Sequence, residues 1–398
     1  MSTALSNTMH SLNASPTSVL LNKVAELRRQ GKDIISLNVG EPDFNTPDHI
    51  KKAGIEAINN NFTRYTAGAG ILELREAIIE KLKRDNHVSY NTNEVTVAVG
   101  AKQALASAVM AVAGEGDEVI IPVPCYVSYP EMVKLAGGTP VYAPLNPSDY
   151  TLDLEAVEKV ITPKTKAIII CTPNNPTGTV YSEESLRALA DLAIKYDFFI
   201  ITDEVYEKLI YGDVKQFSLA SISEEVRDHT ILVNGFSKTY AMTGWRLGYA
   251  AARQDVIQAI LTIQSQTTSA PASMVQKAAV TALRGPQDDV EVMRQEFERR
   301  RDYTVNRLRS IKGITCPDVQ GAFYVFFDIT TYIGKRDGDT VINTDQDLCE
   351  YLLEKAYIAC VPGSAYLMDN KIRVSYSTSM TNLEEALNRM EEVLSYLK

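Results

Sequence analysis

Histidine is scarce in this chain. The four residues, His10, His49, His87 and His229, are so widely spread that no metal-ligand spacing results, and no metal site is expected. Cysteine is scarce too: Cys125, Cys171, Cys316, Cys349 and Cys360 are odd in number and scattered, with no C-x-x-C pair. That excludes a zinc ribbon or a disulfide scaffold and fits free thiols in a reducing compartment. No stretch approaches the ~20 apolar residues of a membrane-spanning helix. The opening Met-Ser-Thr-Ala-Leu-Ser-Asn has neither the basic n-region nor the apolar core of a secretory signal. A cytoplasmic protein without a membrane partner is therefore expected, and the sequon Asn61-Phe62-Thr63 is read as coincidental. Positive charge is in deficit, with a net charge of −10. A nucleic-acid partner is not expected, because phosphate-backbone binding leans on clustered Lys and Arg. A small anion in a local basic pocket stays compatible with that balance. Repeats, low-complexity tracts and long charge blocks are absent as well.

What is present is an ordinary globular composition, 45% apolar and 23% charged. At 398 residues the chain exceeds one small core, so two domains are expected. Seven β-like runs cover Val95–Val99, Val119–Pro122, Pro140–Pro144, Ala167–Cys171, Phe198–Thr202, Ile231–Val233 and Leu247–Ala251. Several are almost continuously apolar, as strands buried on both faces are. Helical periods such as Lys102–Ala113 and Ser182–Tyr196 lie between them. That alternation predicts βαβ units and an α/β domain with a mostly parallel sheet. After Gly285 the texture changes to a charged helix (Asp289–Ile311), a β-like segment (Gly321–Phe327), a helix-like stretch (Thr344–Ala356) and an amphipathic helix (Asn382–Leu397). These read as a smaller α+β domain.

Lys238 lies in Ser-Lys-Thr-Tyr-Ala-Met-Thr-Gly-Trp-Arg (237–246), just after the apolar run Ile231-Leu232-Val233. Surface charge explains a lysine there poorly. The hydroxyl of Ser237 beside it and Arg246 eight residues on suggest an anion held close by. Together they point to a Schiff-base lysine next to a phosphate site, as in pyridoxal-phosphate (PLP) enzymes. The segment resembles the lysine signature of the class I/II aminotransferases, fold type I. That resemblance implies a large domain with a seven-stranded sheet, here residues 46–285, and a small domain at 286–398. Residues 1–45 would form an N-terminal arm and part of the small domain, since in the family the segment matching the helix around Ser18–Gln30 packs with the C-terminal part.

Asp203 follows Phe198-Phe199-Ile200-Ile201-Thr202 at the C-terminal mouth of a buried strand, the edge where open α/β sheets bind ligands. A buried carboxylate there can keep a pyridine nitrogen protonated. Taken alone, Asp203 could equally cap a following helix. With Glu204-Val205-Tyr206 behind it, the segment resembles the family's D-x-x-Y motif. Tyr206 and Asn175 can both donate to the cofactor's ring oxygen. Asn175 opens Asn175-Pro176-Thr177-Gly178, a turn signal that also matches the family's N-P-T-G. Gly100, Ala101 and Lys102, in Val99-Gly100-Ala101-Lys102-Gln103, link a strand to a helix. Small residues and a helix N-terminus there can cradle a phosphate, helped by Ser237 and Arg246.

By the same resemblance, Tyr126 in Pro124-Cys125-Tyr126 would stack on the cofactor. Tyr65 would reach the phosphate of the neighbouring subunit, making a homodimer. Arg373, in Lys371-Ile372-Arg373-Val374-Ser375, would clamp the substrate carboxylate, with Gly40 nearby. In isolation Arg373 reads as a strand-edge arginine paired to a surface acid. Lys102 matches a loop lysine that binds a distal carboxylate in one bacterial branch of the aspartate aminotransferases, and Ser15-Pro16-Thr17 resembles the arm segment that assists it. Lys102 could instead cap its helix or support the phosphate. Leu367-Met368-Asp369-Asn370 stands where many relatives have a glycine-containing loop. The expected activity is ping-pong amino transfer between an L-amino acid, aspartate by preference, and a 2-oxo acid such as 2-oxoglutarate. The alternatives are an aromatic or prephenate aminotransferase, a PLP-dependent C–S β-lyase or cyclopropane-forming synthase on the same fold, and a non-catalytic PLP-binding regulator.

Overall fold

The computed structural model describes residues 6–14 and 16–398. Ser15, proposed above as part of the arm, lies outside them. The apolar runs condense into one seven-stranded sheet. Its strands are β1 (Val95–Ala98), β2 (Glu118–Val123), β3 (Thr139–Pro144), β4 (Thr165–Cys171), β5 (Phe199–Asp203), β6 (Thr230–Gly235) and β7 (Gly248–Ala251). Across the sheet they run in the order β1-β7-β6-β5-β4-β2-β3. The strands β3, β2, β4, β5 and β6 are parallel, and β7 is antiparallel to both β6 and β1. Strands β1, β6 and β7 are buried throughout, whereas β3, with Pro140 and Pro144, is the part-exposed edge.

Connection length explains the one reversed strand. Parallel neighbours need a crossover, and helices such as Glu183–Tyr196 between β4 and β5 supply it. Ser182 caps that helix, its Oγ accepting from the Ser185 N–H at 3.1 Å. Between β6 and β7 there are only two short helical turns, Phe236–Thr239 and Thr243–Trp245. The chain therefore turns back at the end it has just reached. Register then fixes the consequence. Cys171, Asp203 and Val233 lie side by side at one edge, and Gly235, Gly248 and Ala98 lie side by side at the same edge. The loops that follow β1, β4, β5 and β6 thus converge.

The C-terminal part carries a three-stranded antiparallel sheet, with Lys371–Ser375 between Val361–Pro362 and Tyr324–Asp328. Two long helices, Asp288–Ser310 and Met380–Leu394, pack against each other, burying Phe297 and Leu308 from one and Leu387 and Met390 from the other. The N-terminal helix Pro16–Arg29 also belongs with this end of the chain. Val24 and Ile34 pack with Leu353 and Ala359, and Ile35–Ser36 pairs in parallel with Ile358–Ala359. Among the described residues no helix is long and apolar enough to cross a membrane.

Candidate active site

Lys238 sits on the one-turn helix Phe236–Thr239 at the convergent edge, and its ammonium donates to the Gly40 carbonyl. Burial pushes its pKa down to about 8. Arg373 and Arg246 push the same way, opposed by the nearby carboxylates Glu41 and Asp203. A lysine that loses its proton this easily is a usable nucleophile and base.

Asp203 ends β5 and is buried. No helix follows it, so the capping alternative does not apply. Its Oδ2 accepts from the Tyr129 hydroxyl at 2.7 Å and its Oδ1 from the Val205 N–H at 3.3 Å. Burial raises its pKa to about 6, while those two bonds and Lys238 favour the ionised form. Tyr206 places its hydroxyl 3.0 Å from that of Tyr324.

Arg373 is only 3% exposed, so it is not the surface-paired strand arginine that isolated inspection suggests. One face of its guanidinium lies 4.3 Å from the Tyr324 ring centre, and the Tyr366 ring centre is 5.2 Å away. Nη2 donates to the Asn38 carbonyl at 2.7 Å and Nη1 to Asn175 Oδ1 at 3.3 Å. Nε has no partner, and neither polar atom of the buried Asn38 side chain has one. Among the described residues no carboxylate pairs with Arg373. A buried cation left uncompensated costs several kcal/mol, about what a bidentate carboxylate ligand would return.

The Gly100 loop has the geometry of a phosphate cradle. Gly100 has φ +82°, and a Cβ there would meet Arg246 Nη2 at 2.6 Å. A Cβ on Gly248 would strike the Ala101 nitrogen at 2.4 Å, so β7 can pass the loop only as glycine. The helix Ala101–Val112 begins here with no side-chain cap on its first N–H groups, which leaves room for an anion. Arg246 donates to the Thr243 carbonyl at 2.8 Å and turns its other nitrogen toward Gly100. Ser237 lies one residue before Lys238 and is half-buried.

At the mouth, Lys102 is exposed, with Nζ 5.5 Å from the Tyr126 ring centre. Tyr126 packs edge-on against Tyr129 at 5.4 Å. A Cβ on Gly40 would sit 2.8 Å from the Tyr324 hydroxyl, so this closely passing backbone also needs glycine. Tyr65 is fully exposed. Pro16 and Thr17 begin the N-terminal helix. In the loop before the Arg373 strand, Leu367 and Asn370 take φ +64° and +60°, left-handed positions filled without glycine.

Sequence reasoning missed Tyr129, Tyr324, Tyr366 and Asn38. Each is a buried aromatic or amide with no motif around it, and only the fold brings it to Asp203, Tyr206 or Arg373.

A lysine of lowered pKa, a buried acid, a helix N-terminus without a side-chain cap and a buried arginine without a carboxylate partner are groups that suit a cofactor-dependent enzyme acting on a carboxylate. Comparison with known proteins agrees. Residues 32–390 match the family model described as aminotransferase class I and II. An aspartate aminotransferase of Bacillus sp. (strain YM-2) is 44% identical over 98% of this chain and 99% of its own. A probable aspartate/prephenate aminotransferase of Aquifex aeolicus is also 44% identical, over 99% of each chain. Among solved structures, the aspartate aminotransferase from Rhizobium meliloti superposes with a TM-score of 0.96 at 40% identity, covering 100% of both chains. The chain belongs to the class I and II aminotransferase family and is an enzyme, a transaminase. The family implies pyridoxal phosphate as cofactor and amino acids and oxo acids as substrates.

Proposed function

We propose that this protein is a PLP-dependent aspartate aminotransferase, with 2-oxoglutarate as the preferred acceptor. The observation that carries the reading is Arg373, a buried guanidinium without a carboxylate partner that reaches from the three-stranded sheet to Asn175 in the loop after β4 and lies near enough to Lys238 to depress its pKa. PLP, when bound, supplies an electron sink for the pair left on the substrate Cα. Lys238 would hold it and, as a readily neutral amine, take the Cα proton. Asp203 would face its ring nitrogen, and Asn175 and Tyr206 its ring oxygen. Gly100, Ala101, Ser237 and Arg246 would hold its phosphate, and Tyr126 would lie against its ring. Arg373 would fix the substrate's α-carboxylate, with Asn175 and Gly40 beside it, and Lys102 would meet a distal carboxylate.

The two relatives support the dicarboxylic preference, one being named for aspartate and one for aspartate/prephenate. The second name keeps prephenate as a competing acceptor. Steady-state assay of aspartate, phenylalanine and tyrosine with 2-oxoglutarate or prephenate tests the order. Aspartate should give the highest kcat/KM, and Lys102→Ala should lower it selectively for dicarboxylates. An aromatic donor preferred over aspartate would overturn the substrate assignment.

Assembly and layout belong to the same reading. Tyr65 is fully exposed, and the apolar Ile55, Ile58 and Leu72 of the same stretch of chain are each more than half exposed, which supports a homodimer in which Tyr65 completes the neighbouring site. The contacts of the N-terminal helix support a small domain built from 1–45 and 286–398 around a large domain at 46–285. Five free, buried cysteines fit the cytoplasm.

A further inference from the structure

Behind the site lies a second buried polar cluster that the chemistry above does not use. Its members come from three separate segments of the chain. Lys81 lies in the helix Leu72–Asp85, and Asn86 caps the end of that helix. Glu204 and Glu207 lie in the same turn as Asp203 and Tyr206. Ser218 precedes the short helix Leu219–Ser221. All five side chains are buried.

The bonding is continuous. Lys81 Nζ pairs with Glu207 Oε1 and donates to Asn86 Oδ1 at 2.6 Å. The Asn86 amide donates to Glu204 Oε2 at 3.0 Å and to Glu207 Oε2 at 2.9 Å. Ser218 Oγ lies 2.9 Å from Glu204 Oε1, a contact in which the carboxyl O–H can donate when Glu204 is protonated. Along the turn the side chains alternate in role: 203 and 206 bond Tyr129 and Tyr324 on the site side, whereas 204 and 207 bond into the cluster. Backbone bonds from the Glu204 N–H to the Val233 carbonyl and from the Glu207 N–H to the Glu204 carbonyl tie the turn to β6 and to itself.

We propose that Lys81, Asn86, Glu204, Glu207 and Ser218 are positioning residues, a buried clamp that holds the 203–207 turn from behind and so sets where Asp203 and Tyr206 meet the cofactor. The charge balance fits this role. Burial and neighbouring Glu207 raise the Glu204 carboxyl to about 8, so it stays protonated at neutral pH. One ammonium then faces one carboxylate, and the cluster is neutral. A fully bonded network without net charge is stiff, and removing one charged partner leaves the other stranded.

The inference rests on the reading of Asp203 and Tyr206 as cofactor ligands. The test uses the full-length protein with PLP. Lys81→Met strands Glu207 without touching the site. Folded Lys81→Met is expected to bind PLP about tenfold more weakly in equilibrium dialysis and to shift the pH midpoint of the bound cofactor's absorbance. Adding Glu207→Gln, which restores neutrality, should recover most of the affinity. Unchanged affinity and midpoint in folded Lys81→Met would overturn the clamp. Should that variant not fold, Ser218→Ala carries the test, with a loss of about threefold in PLP affinity expected and an unchanged value fatal. Asp203→Asn, measured alongside, separates the two readings. Weakened PLP binding in Asp203→Asn but not in Lys81→Met sinks the clamp alone. Normal binding in Asp203→Asn sinks the parent assignment.

Discussion

Lys238 and Asp203 are each moved by burial toward neutrality, and both shifts predict measurable pH dependence. Without cofactor, Lys238 loses its proton at about 8 instead of at the ordinary 10.5. Only the neutral amine attacks an aldehyde. The rate of PLP attachment should therefore rise with pH up to about 8 and then level off, where an unperturbed lysine would still be climbing; stopped-flow absorbance reads this directly. Asp203 works in the opposite direction. Its carboxyl protonates at about 6 in the free protein, so PLP affinity should decline as pH falls through that value, because the charge facing the ring nitrogen is lost. Lys238→Ala should lower turnover by about 10³-fold or more, the scale of a lost general base. Arg373→Leu should reduce kcat/KM by about a hundredfold or more through two lost charge-assisted bonds, while the cofactor spectrum stays that of the parent. Lys238, Asp203 and Asn175 stood out as candidates because each sits in a short motif after an apolar run, and Arg373 stood out only through the motif Lys371–Ser375. Tyr129, Tyr324 and Asn38 were not, since a lone buried aromatic or amide looks like core.

Among the elements, the strands were the most legible. All seven apolar runs became strands of one sheet, because a strand buried on both faces needs apolar residues at nearly every position. The reversed direction of β7 was not legible, since periodicity carries no sense of direction; only the short connection after β6 reveals it. Helix limits shifted by one to three residues, as at Ser182, which caps its helix from outside, and at the last helix, expected to end at Leu397 and ending at Leu394. The same reversed strand makes Gly248 a critical position. Gly248→Ala would drive a Cβ into the Ala101 backbone, which cannot move without the phosphate loop. It should destabilise the protein by about 1–3 kcal/mol and weaken PLP binding, measured as a lowered Tm and a raised Kd for the cofactor.

At the scale of the whole molecule, Tyr65 is fully exposed to solvent, and the account assigns it to a neighbour. Co-refolded Tyr65→Ala and Lys238→Ala subunits should regain activity that neither variant has alone, because the mixed dimer contains one intact site. If Tyr65 served its own subunit, no mixture would recover. The proposed two-domain layout rests on the change of texture after Gly285, whereas the pairing of Ile35–Ser36 with Ile358–Ala359 was not legible, because two-residue strands carry no pattern. The most direct test of the central claim is the absorbance spectrum of the purified protein with PLP, before and after L-aspartate is added without an oxo acid. The account predicts that the band of lysine-bound cofactor gives way to that of pyridoxamine phosphate. A cofactor band that aspartate leaves unchanged would contradict the aspartate assignment, and no band even with PLP supplied would contradict the role given to Lys238.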